Sequence, residues 1–352
     1  RLIHPTAPKS HQDGSDLQVL WVHETAQLVG GCEQYMVKTA RMLRDHGVRS
    51  TLLYGEVGDG PLRMLDSFDR ACPWVDLDAQ LKLIAPDLIY VHRLSGREPI
   101  RRLTDSGIPT ARFFHDHKLF CLREHKYTAI GHRTCTQTRG LTCAGCLGGI
   151  NRSSRWPGVK FNNPITLARE QAANRDFDAF VVGSQYMADL LQARRFEPQR
   201  IHRLPLFATP PEEVEPVTRA QDLLLFVGQL VRGKGLDILL KEMSLVRQPA
   251  RLMVFGSGRQ ETELRQLSHA LGLADRVTFA GKVSQEVLAD YYRRATCLVV
   301  PSRTPETFGL VGVEAMSHGT PVVALNVGGI REWLVHGRTG LAVPPGQSGA
   351  LA

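Results

Sequence analysis

Short apolar runs rich in Val, Ile, Leu and Phe alternate along this chain with longer segments whose apolar residues recur at helical spacing. Apolar runs of this kind, separated by amphipathic segments, are typical of a parallel sheet covered by helices on both faces. The alternation occurs twice. The sequence therefore predicts an α/β fold with two doubly wound, Rossmann-like domains, whose ligands bind at the carboxyl ends of the strands.

Five strands are predicted in each half of the chain. In the first half they cover 17–23, 48–54, 87–92, 110–115 and 177–184, with a helix from about 31 to 46. In the second half they cover 222–230, 250–258, 276–281, 295–302 and 320–325, with helices near 235–247, 260–271, 284–294 and 309–317.

A proline-rich and acidic passage, ATPPEEVEPVTRAQ at 208–221, interrupts this rhythm and has the composition of a linker. A chain of 352 residues is long enough for two ordinary domains. We therefore predict an N-terminal extension at 1–16, a first domain at 17–207 and a second domain at 222–352. A basic, cysteine-containing insertion is predicted within the first domain, at about 117–160.

The composition is that of a soluble globular protein, with 43% hydrophobic and 22% charged residues. We find no secretion signal and no uninterrupted apolar run of about 18 residues. The seven cysteines are an odd number, which favours a reducing compartment. These observations predict a cytoplasmic protein.

The net charge of +8 is concentrated in one region. Residues 101–170 hold 12 Lys or Arg against 4 Asp or Glu, and 12 − 4 = +8, so the rest of the chain sums to zero. Such a region can contact phosphates or the anionic inner face of a membrane, or it is simply a solvated basic surface. Nucleic acid is not expected as a partner, because no recognised binding motif accompanies the charge.

Three stretches of the second half have a familiar order: FVGQLVRGKGLDILL, then VFGSGRQETELRQLSHALGLADRVTFAGKVSQEVLADYYRRATCLVVPS, then PETFGLVGVEAMSHGTPVVALNVGGIREWLVHGRTGLAVPPG. Together they resemble the family-4 retaining glycosyltransferases of the GT-B fold. The resemblance in the first half rests on GGCEQY at 30–35, DLIYVH and FFHDH. It implies two Rossmann-like domains facing a cleft, with a nucleotide sugar held mainly by the second.

Two glutamates flank the predicted helix start in PETFGLVGVEAM. A helix start offers unpaired N–H groups and a partial positive charge, which suit a diphosphate. By resemblance, Glu306 and the backbone of Phe308, Gly309 and Leu310 contact the sugar and phosphates, while Glu314 accepts hydrogen bonds from the ribose. If both glutamates were helical, they would lie roughly 12 Å apart. Alternatively, they only favour the helix dipole.

The departing nucleoside diphosphate needs a cation, and Lys234 is the leading candidate. The resemblance implies an arginine and a lysine in this turn, but Gln229 stands at the arginine position. Arg232 is the candidate replacement, unless both cations belong to a solvated turn. Further donor contacts are implied for Gly228, Gly256 and Val283.

His115 follows an apolar strand, where the resemblance places a histidine beside the anomeric carbon and the acceptor. His117 and His92 are competing candidates. Gly30 and Gly31 lie between a strand and a helix, so they form either a phosphate or acceptor loop or a simple turn.

The resemblance implies a hexosyltransferase that retains anomeric configuration, with His115, Glu306 and Lys234 as catalytic residues and no catalytic divalent metal. The expected acceptor is a glycan or a lipid-linked molecule, in the synthesis of cell-surface polysaccharide or glycoconjugates. The alternatives are a nucleotide-sugar epimerase or a phosphorylase on the same fold, or a non-catalytic nucleotide-sugar-binding module. Members of the family usually continue past GLAVPPG for several more helices, so the closing helical element is expected to be absent from this chain and its second domain to be truncated at the C-terminus.

Four cysteines in the insertion have the spacing C-x13-C-x7-C-x2-C; they are Cys121, Cys135, Cys143 and Cys146. Four thiolates suit a tetrahedral structural zinc or an iron–sulfur cluster. Disulfides or free thiols are the alternative.

The same insertion carries basic residues, which we expect to meet a charged acceptor or an anionic membrane surface at the inner membrane face. They are Arg123, Lys126, Arg133 and Arg139.

Overall fold

The computed structural model of the chain describes residues 17–27, 30–57, 64–126, 128, 135, 143, 146, 150–152, 159–161, 163–209, 217–346, 349 and 351. The predicted N-terminal extension at 1–16 lies outside the described residues, as do half of the predicted linker (210–216), much of the insertion, Arg133 and Arg139.

Residues 17–209 contain a seven-stranded sheet and a separate two-stranded antiparallel ribbon. In chain order the strands are β1 (Gln18–Thr25), β2 (Arg49–Glu56), β3 (Arg70–Pro73), β4 (Leu88–Arg93), β5 (Thr110–Phe113), β6 (Ile150–Arg152), β7 (Val159–Phe161), β8 (Ala179–Val182) and β9 (Ile201–Arg203). The sheet has the order β3-β2-β1-β4-β5-β8-β9, and β6 pairs with β7. The central strand β1 is covered on both faces, since Leu20, Trp21 and Val22 are fully buried.

Helices connect these strands. They are α1 (Gly31–Asp45), α2 (Leu77–Ile84), α3 (Arg97–Thr104), α4 (Pro164–Ala173) and α5 (Gln185–Gln192). Side-chain caps fix two of their starts: Asp76 accepts a hydrogen bond from the Ala79 N–H, and Ser184 accepts one from the Met187 N–H.

Residues 221–346 form a six-stranded parallel sheet with the order β12-β11-β10-β13-β14-β15. Its strands are β10 (Leu223–Val227), β11 (Arg251–Phe255), β12 (Val277–Gly281), β13 (Cys297–Val300), β14 (Val322–Leu325) and β15 (Gly340–Val343). Its helices are α6 (Leu236–Met243), α7 (Glu261–Ala270), α8 (Gln285–Arg294) and α9 (Leu310–Ser317).

The second sheet is buried on both faces by two apolar clusters. Leu225, Leu298 and Ala324 belong to one cluster. Phe226 and Val254 belong to the other. Because neighbouring positions of a strand point to opposite faces, a strand buried on both sides reads as a continuous apolar run. This explains why the strand pattern is so clear in this half.

All ten predicted strands are present, with the ends differing by a few residues. The strand at 110–115 is shorter than predicted, because β5 ends at Phe113. Strands β3, β9 and β15 and the β6–β7 ribbon were not predicted. None of the helices in the described ranges is long and apolar enough to cross a membrane.

Contacts within the chain group it into two compact units, one comprising Arg1–Phe114 with Ala172–Val181 and the other His115–Gln171 with Val182–Ala352. Residues 115–171 and 182–207 thus pack with the second unit, whereas the sequence assigns them to the first domain. The boundary at 208–221 stays a prediction.

Candidate functional site

The turn after β10 carries the predicted cations and depends on a glycine. A short 3-10 turn at Arg232–Lys234 ends at Gly235, whose φ is +73°. A Cβ on Gly235 would lie 1.9 Å from the carbonyl oxygen of Pro301. Only glycine therefore lets this turn lie directly against the loop that follows β13.

Hydrogen bonds join that turn to the loop after β13. The N–H groups of Arg303 and Thr304 both donate to the Gly233 carbonyl, at 2.8 and 3.1 Å. The Arg303 guanidinium also binds Asp237 with two bonds of 2.5 and 2.6 Å. Burial raises the pKa of Asp237, but the opposite effect of Arg303, together with the other hydrogen bonds and charges, is larger overall, and the pKa is lowered. The pair therefore stays ionised. This bidentate pair is not predicted from the sequence.

Lys234 and Glu306 form an ion pair at the centre of these loops. The Lys234 ammonium lies 2.7 and 3.0 Å from the two Glu306 carboxylate oxygens. Ser302 Oγ donates to the same carboxylate at 2.5 Å. Burial raises the pKa of Glu306, but Lys234 and Ser302 outweigh it, and the pKa is lowered. The lysine side chain is 34% exposed and the glutamate 12%, so the pair is only partly buried.

The backbone of Glu306 is held on its other side by the turn before Trp333. The Gly329 N–H donates to the Glu306 carbonyl at 2.7 Å, and Glu306 forms a β-bridge with Gly328. A Cβ on Gly328 would lie 2.3 Å from the same carbonyl oxygen. The position of the Glu306 carboxylate is therefore fixed from both the side chain and the main chain.

Helix α9 begins beyond Glu306, at Leu310, so the premise that both glutamates are helical is wrong. Glu306 stands four positions before the first helical residue, and the rough helical separation does not apply. Gly309 caps the helix with φ +83°. Among the described residues, no acceptor meets the N–H groups of Gly309 and Leu310. Two donors at a helix start are thus available to an anion.

Trp333 supports this helix start. Its indole N–H donates to the Phe308 carbonyl at 2.7 Å. A Cβ on Gly312 would lie 2.2 Å from the Trp333 ring, so the indole packs directly on the helix backbone. Glu314 lies one turn further along and acts on buried Tyr292, whose pKa is raised well above its ordinary value by burial and by this carboxylate. Trp333 is not predicted as a site residue from the sequence.

The ends of β10, β11 and β12 meet through the predicted glycines. The Gly256 N–H donates to the Gly281 carbonyl at 2.7 Å, and the Gly228 N–H donates to Phe255 at 3.0 Å. Gly256 has φ +125°, and a Cβ there would lie 2.0 Å from the Gly228 carbonyl oxygen. Val283 follows two residues after β12 and packs on one apolar cluster.

Arg232 and Gln229 are both exposed on the same turn. Arg303 Nη1 donates to the Arg232 carbonyl at 3.1 Å. This bond fixes the main chain of Arg232 and not its guanidinium. Whether Arg232 replaces the arginine that the resemblance implies stays a prediction.

The three candidate histidines occupy different environments. His115 lies two residues beyond β5, and its carbonyl accepts a 2.8 Å bond from Thr307 Oγ1. His117 is 3% exposed, and its Nε2 lies 3.0 Å from the Tyr186 hydroxyl. His92 is stacked on Trp21 inside the first unit.

Burial lowers the pKa of His117 to about 4, and nearby Lys126 lowers it too, against the opposite influence of Asp116 and Glu306. His117 is therefore neutral near pH 7 and lies within electrostatic range of Glu306. From the sequence, His117 is predicted only as a competitor to His115.

In the first unit, Gly30 and Gly31 lie at the start of α1. The Gly30 N–H donates to Glu33 Oε2 at 2.8 Å, and Gly31 is the first helical residue. The second carboxylate oxygen of Glu33 lies 3.4 Å from His23 and 3.5 Å from Arg93. This buried cluster, which the sequence analysis missed, holds the glycine turn in place.

The ligand atoms of His23, Cys32 and Glu33 lie within 4.8 Å of one another. Glu33 is already engaged as a helix cap and in an ion pair with Arg93, which accounts for its burial. We therefore treat this group as structural.

All seven cysteines are described, and none forms a disulfide. The predicted exposed role of Lys126 is wrong, because its side chain is buried, with 5% exposure. Arg123 is half-buried and donates to the Cys146 carbonyl at 3.2 Å. Neither side chain is placed like a freely solvated surface cation.

Comparison with known proteins adds a family signal for the second half. Residues 221–352 match the family model described as Glycosyl transferases group 1. An uncharacterized glycosyltransferase of Methanocaldococcus jannaschii is 38% identical over 134 residues, which are 38% of this chain and 34% of that protein. A D-inositol 3-phosphate glycosyltransferase of Gordonia bronchialis is 34% identical over 223 residues, 57% of this chain and 48% of that protein. These matches span about a third to a half of the curated relatives' length.

Solved structures resemble nearly the whole chain. HepE of Anabaena, in complex with UDP and glucose, has a TM-score of 0.69 at 18% identity and covers 96% of this chain and 88% of its own. Sucrose-phosphate synthase of Thermosynechococcus elongatus has a TM-score of 0.69 at 22% identity, with the same coverage. The predicted fold class is confirmed: two parallel-sheet α/β domains of seven and six strands, with GT-B glycosyltransferases as structural neighbours.

Proposed function

We propose that this chain transfers a sugar from a nucleotide-diphosphate sugar to a glycan or lipid-linked acceptor, with retention of anomeric configuration. The observation that carries the proposal is the Lys234–Glu306 ion pair, which lies in the loops before the start of α9. The match of residues 221–352 to Glycosyl transferases group 1 supports the same class of reaction.

Leaving-group stabilisation is the main task of the site. Departure of a nucleoside diphosphate builds negative charge on phosphate oxygens, and preorganised donors stabilise that charge. The partly exposed Lys234 ammonium supplies a full positive charge. The N–H groups of Gly309 and Leu310 supply two further donors at the positive end of a helix. No separate carboxylate nucleophile is required by this arrangement.

The two glutamates have separate tasks in this mechanism. Glu306 stays ionised because Lys234 and Ser302 lower its pKa, and a carboxylate accepts hydrogen bonds from two sugar hydroxyls. Glu314, one turn into α9, binds the ribose. His115 contacts the sugar and acceptor, as the resemblance implies, and no divalent metal takes part.

For the donor, a uridine nucleotide is the first candidate, since HepE of Anabaena was solved with UDP and with UDP-glucose. We place the reaction at the cytoplasmic side of a membrane, in the synthesis of cell-surface glycans. Acceptor choice rests with Gly30, Gly31 and the rest of the first domain.

A thermal-shift panel tests the donor site. UDP, GDP, ADP and CMP, each with its nucleotide sugars, are compared on the wild type and on Lys234→Ala and Glu314→Ala. A ligand at a hundredfold its Kd stabilises the folded state by about 2.7 kcal/mol, or a few degrees. Matched controls are Lys241→Ala and Glu263→Ala, two exposed positions on α6 and α7.

We expect one nucleotide to stand out, both site variants to lose its shift and both controls to keep it. Release of the nucleoside diphosphate together with a glycosylated acceptor then establishes transfer. Interconversion of the donor without an acceptor would indicate an epimerase instead, and donor binding without turnover would indicate a binding module.

A further inference from the structure

Hydrogen bonds tie Cys121, Cys135 and Cys146 to one short segment, residues 117–126. The Cys121 N–H donates to the His117 carbonyl at 2.9 Å, and the Cys135 N–H donates to the Lys126 carbonyl at 2.7 Å. Arg123 Nη1 donates to the Cys146 carbonyl at 3.2 Å. The first, second and fourth cysteines of the C-x13-C-x7-C-x2-C pattern are thus attached to the same ten residues, and Cys143 interacts electrostatically with Lys126 in that segment.

The segment itself is folded tightly after Cys121. The Glu124 N–H donates to the Cys121 carbonyl at 2.9 Å. Glu124 and Lys126 then adopt left-handed backbone conformations, with φ of +66° and +51°. Such conformations are uncommon for residues with a side chain, and here they turn the chain back so that Lys126 meets Cys135.

Two buried cations lie among these thiols. Lys126 is 5% exposed and Arg194 is 8% exposed. Cys135, Cys121 and Cys143 all interact electrostatically with Lys126, and the same three cysteines interact with Arg194. Buried charges are costly unless opposite charges accompany them.

We propose that Cys121, Cys135, Cys143 and Cys146 bind one zinc ion as a tetrathiolate, whose charge is neutralised by Lys126 and Arg194. Four thiolates around Zn²⁺ carry a net charge of 2−, and the two side chains carry 2+. A closed four-thiolate site is structural and has no open position for a substrate. Among the described atoms, no three of the four thiols lie within 4.8 Å of one another. Zinc binding would therefore have to bring them to tetrahedral spacing.

The zinc site has a consequence for the donor site, which rests on the proposed function. The carbonyl of His117 binds the first of the four cysteines, and its ring lies 3.0 Å from the Tyr186 hydroxyl and near Glu306. Removing the metal frees this segment beside the carboxylate. We therefore expect chelation to weaken nucleotide binding without acting on Lys234 directly.

The first test is metal analysis of the purified chain and of single variants. We expect one zinc per chain in the wild type. In Cys143→Ser and in Cys146→Ser the affinity for zinc should fall by at least about tenfold. The matched control is Cys72→Ser, a change on β3 in the other unit. This variant should still bind one zinc per chain. Cobalt substitution gives the ligand set, because a tetrahedral thiolate site shows intense visible absorption.

Three results would overturn the proposal: no stoichiometric metal in the wild type, zinc retained by both variants, or iron with cluster absorption in place of zinc. If the variants do not fold, chelation of the wild-type protein decides the question. We expect four thiols to become reactive as one zinc is released, and metal release without new reactive thiols would contradict the site. These readouts involve no nucleotide, so they stand apart from the thermal-shift panel.

Discussion

The ammonium group of Lys234 lies 2.7 and 3.0 Å from the two carboxylate oxygens of Glu306, 72 positions further along the chain. The cation proposed to receive the leaving group is therefore oriented before the donor arrives. Preorganisation of this kind is effective because no side chain has to be ordered during the reaction.

Loss of either partner is expected to remove transfer activity. Lys234→Ala and Glu306→Gln should each lower kcat/KM by about a hundredfold or more, the effect of losing one charge-stabilising donor. The kcat/KM of the double variant should fall by much less than the product of the two single fold-losses, because each single change already breaks the pair. Transfer rates of the four proteins test this, and independent, multiplicative losses would show that the two residues do not act together.

Ser302 is expected to position Glu306 and to set its ionisation. In Ser302→Ala the short bond to the carboxylate is lost, so the pKa of Glu306 should rise. The acid limb of the pH–rate profile should then move to higher pH, while the unfolding free energy falls by only about 1 kcal/mol. Ser317→Ala, at the end of α9, is the control. An unmoved acid limb would contradict the assignment.

His117 is expected to make the stability of the protein pH-dependent. Its folded pKa of about 4 lies below the ordinary value of 6.5, so between these values the unfolded chain binds a proton that the folded chain does not. The contribution of neutral His117 to the free energy of unfolding is therefore fully present above pH 6.5 and is lost as the pH falls towards 4. From pH 7 to pH 5 the expected loss is about 2 kcal/mol.

Urea unfolding at pH 7 and pH 5 measures this pH dependence. The proteins compared are the wild type, His117→Gln and the exposed control His269→Gln. The difference between pH 7 and pH 5 should shrink by that amount in His117→Gln and stay unchanged in the control. Equal pH dependence in all three proteins would place the effect elsewhere.

Gly312 is expected to tolerate a side chain only when Trp333 is made smaller. A Cβ at this position would lie 2.2 Å from the indole, so Gly312→Ala should destabilise the protein by about 1–3 kcal/mol. Trp333→Leu also destabilises it, through loss of the bond to Phe308. The destabilisation of the double variant should be smaller than the sum of the two single destabilisations by about 1 kcal/mol or more. Strictly additive unfolding free energies would rule out the steric explanation.

The sequence predicts the fold well because both sheets are buried on two faces. Val254 and Phe255, for example, are consecutive residues of β11 that pack into different clusters, and both are buried. Strand β9 was missed because His202 and Arg203 are exposed there and leave no apolar run. Edge strands of this kind carry too weak a pattern.

The site was only partly predictable, since its contacts join residues that are distant in sequence. Lys234 and Glu306 each belong to a motif, but nothing in either motif shows that they meet. The bond from Thr307 to His115 spans 192 positions. The sequence favours His115 over His117 only through the resemblance, because the strand pattern gives no alternation once β5 has ended at Phe113.

The glycines of this site differ in what surrounds them, and this difference bears on how the sequence can drift over evolutionary time. At Gly235 and Gly256 the obstacle to a side chain is backbone, the carbonyls of Pro301 and Gly228, which every amino acid possesses. No second substitution can make room there. At Gly312 the obstacle is a side chain, and an exchange at Trp333 opens an alternative route. Homologous chains should therefore keep the first two glycines regardless of background, whereas positions 312 and 333 should change together.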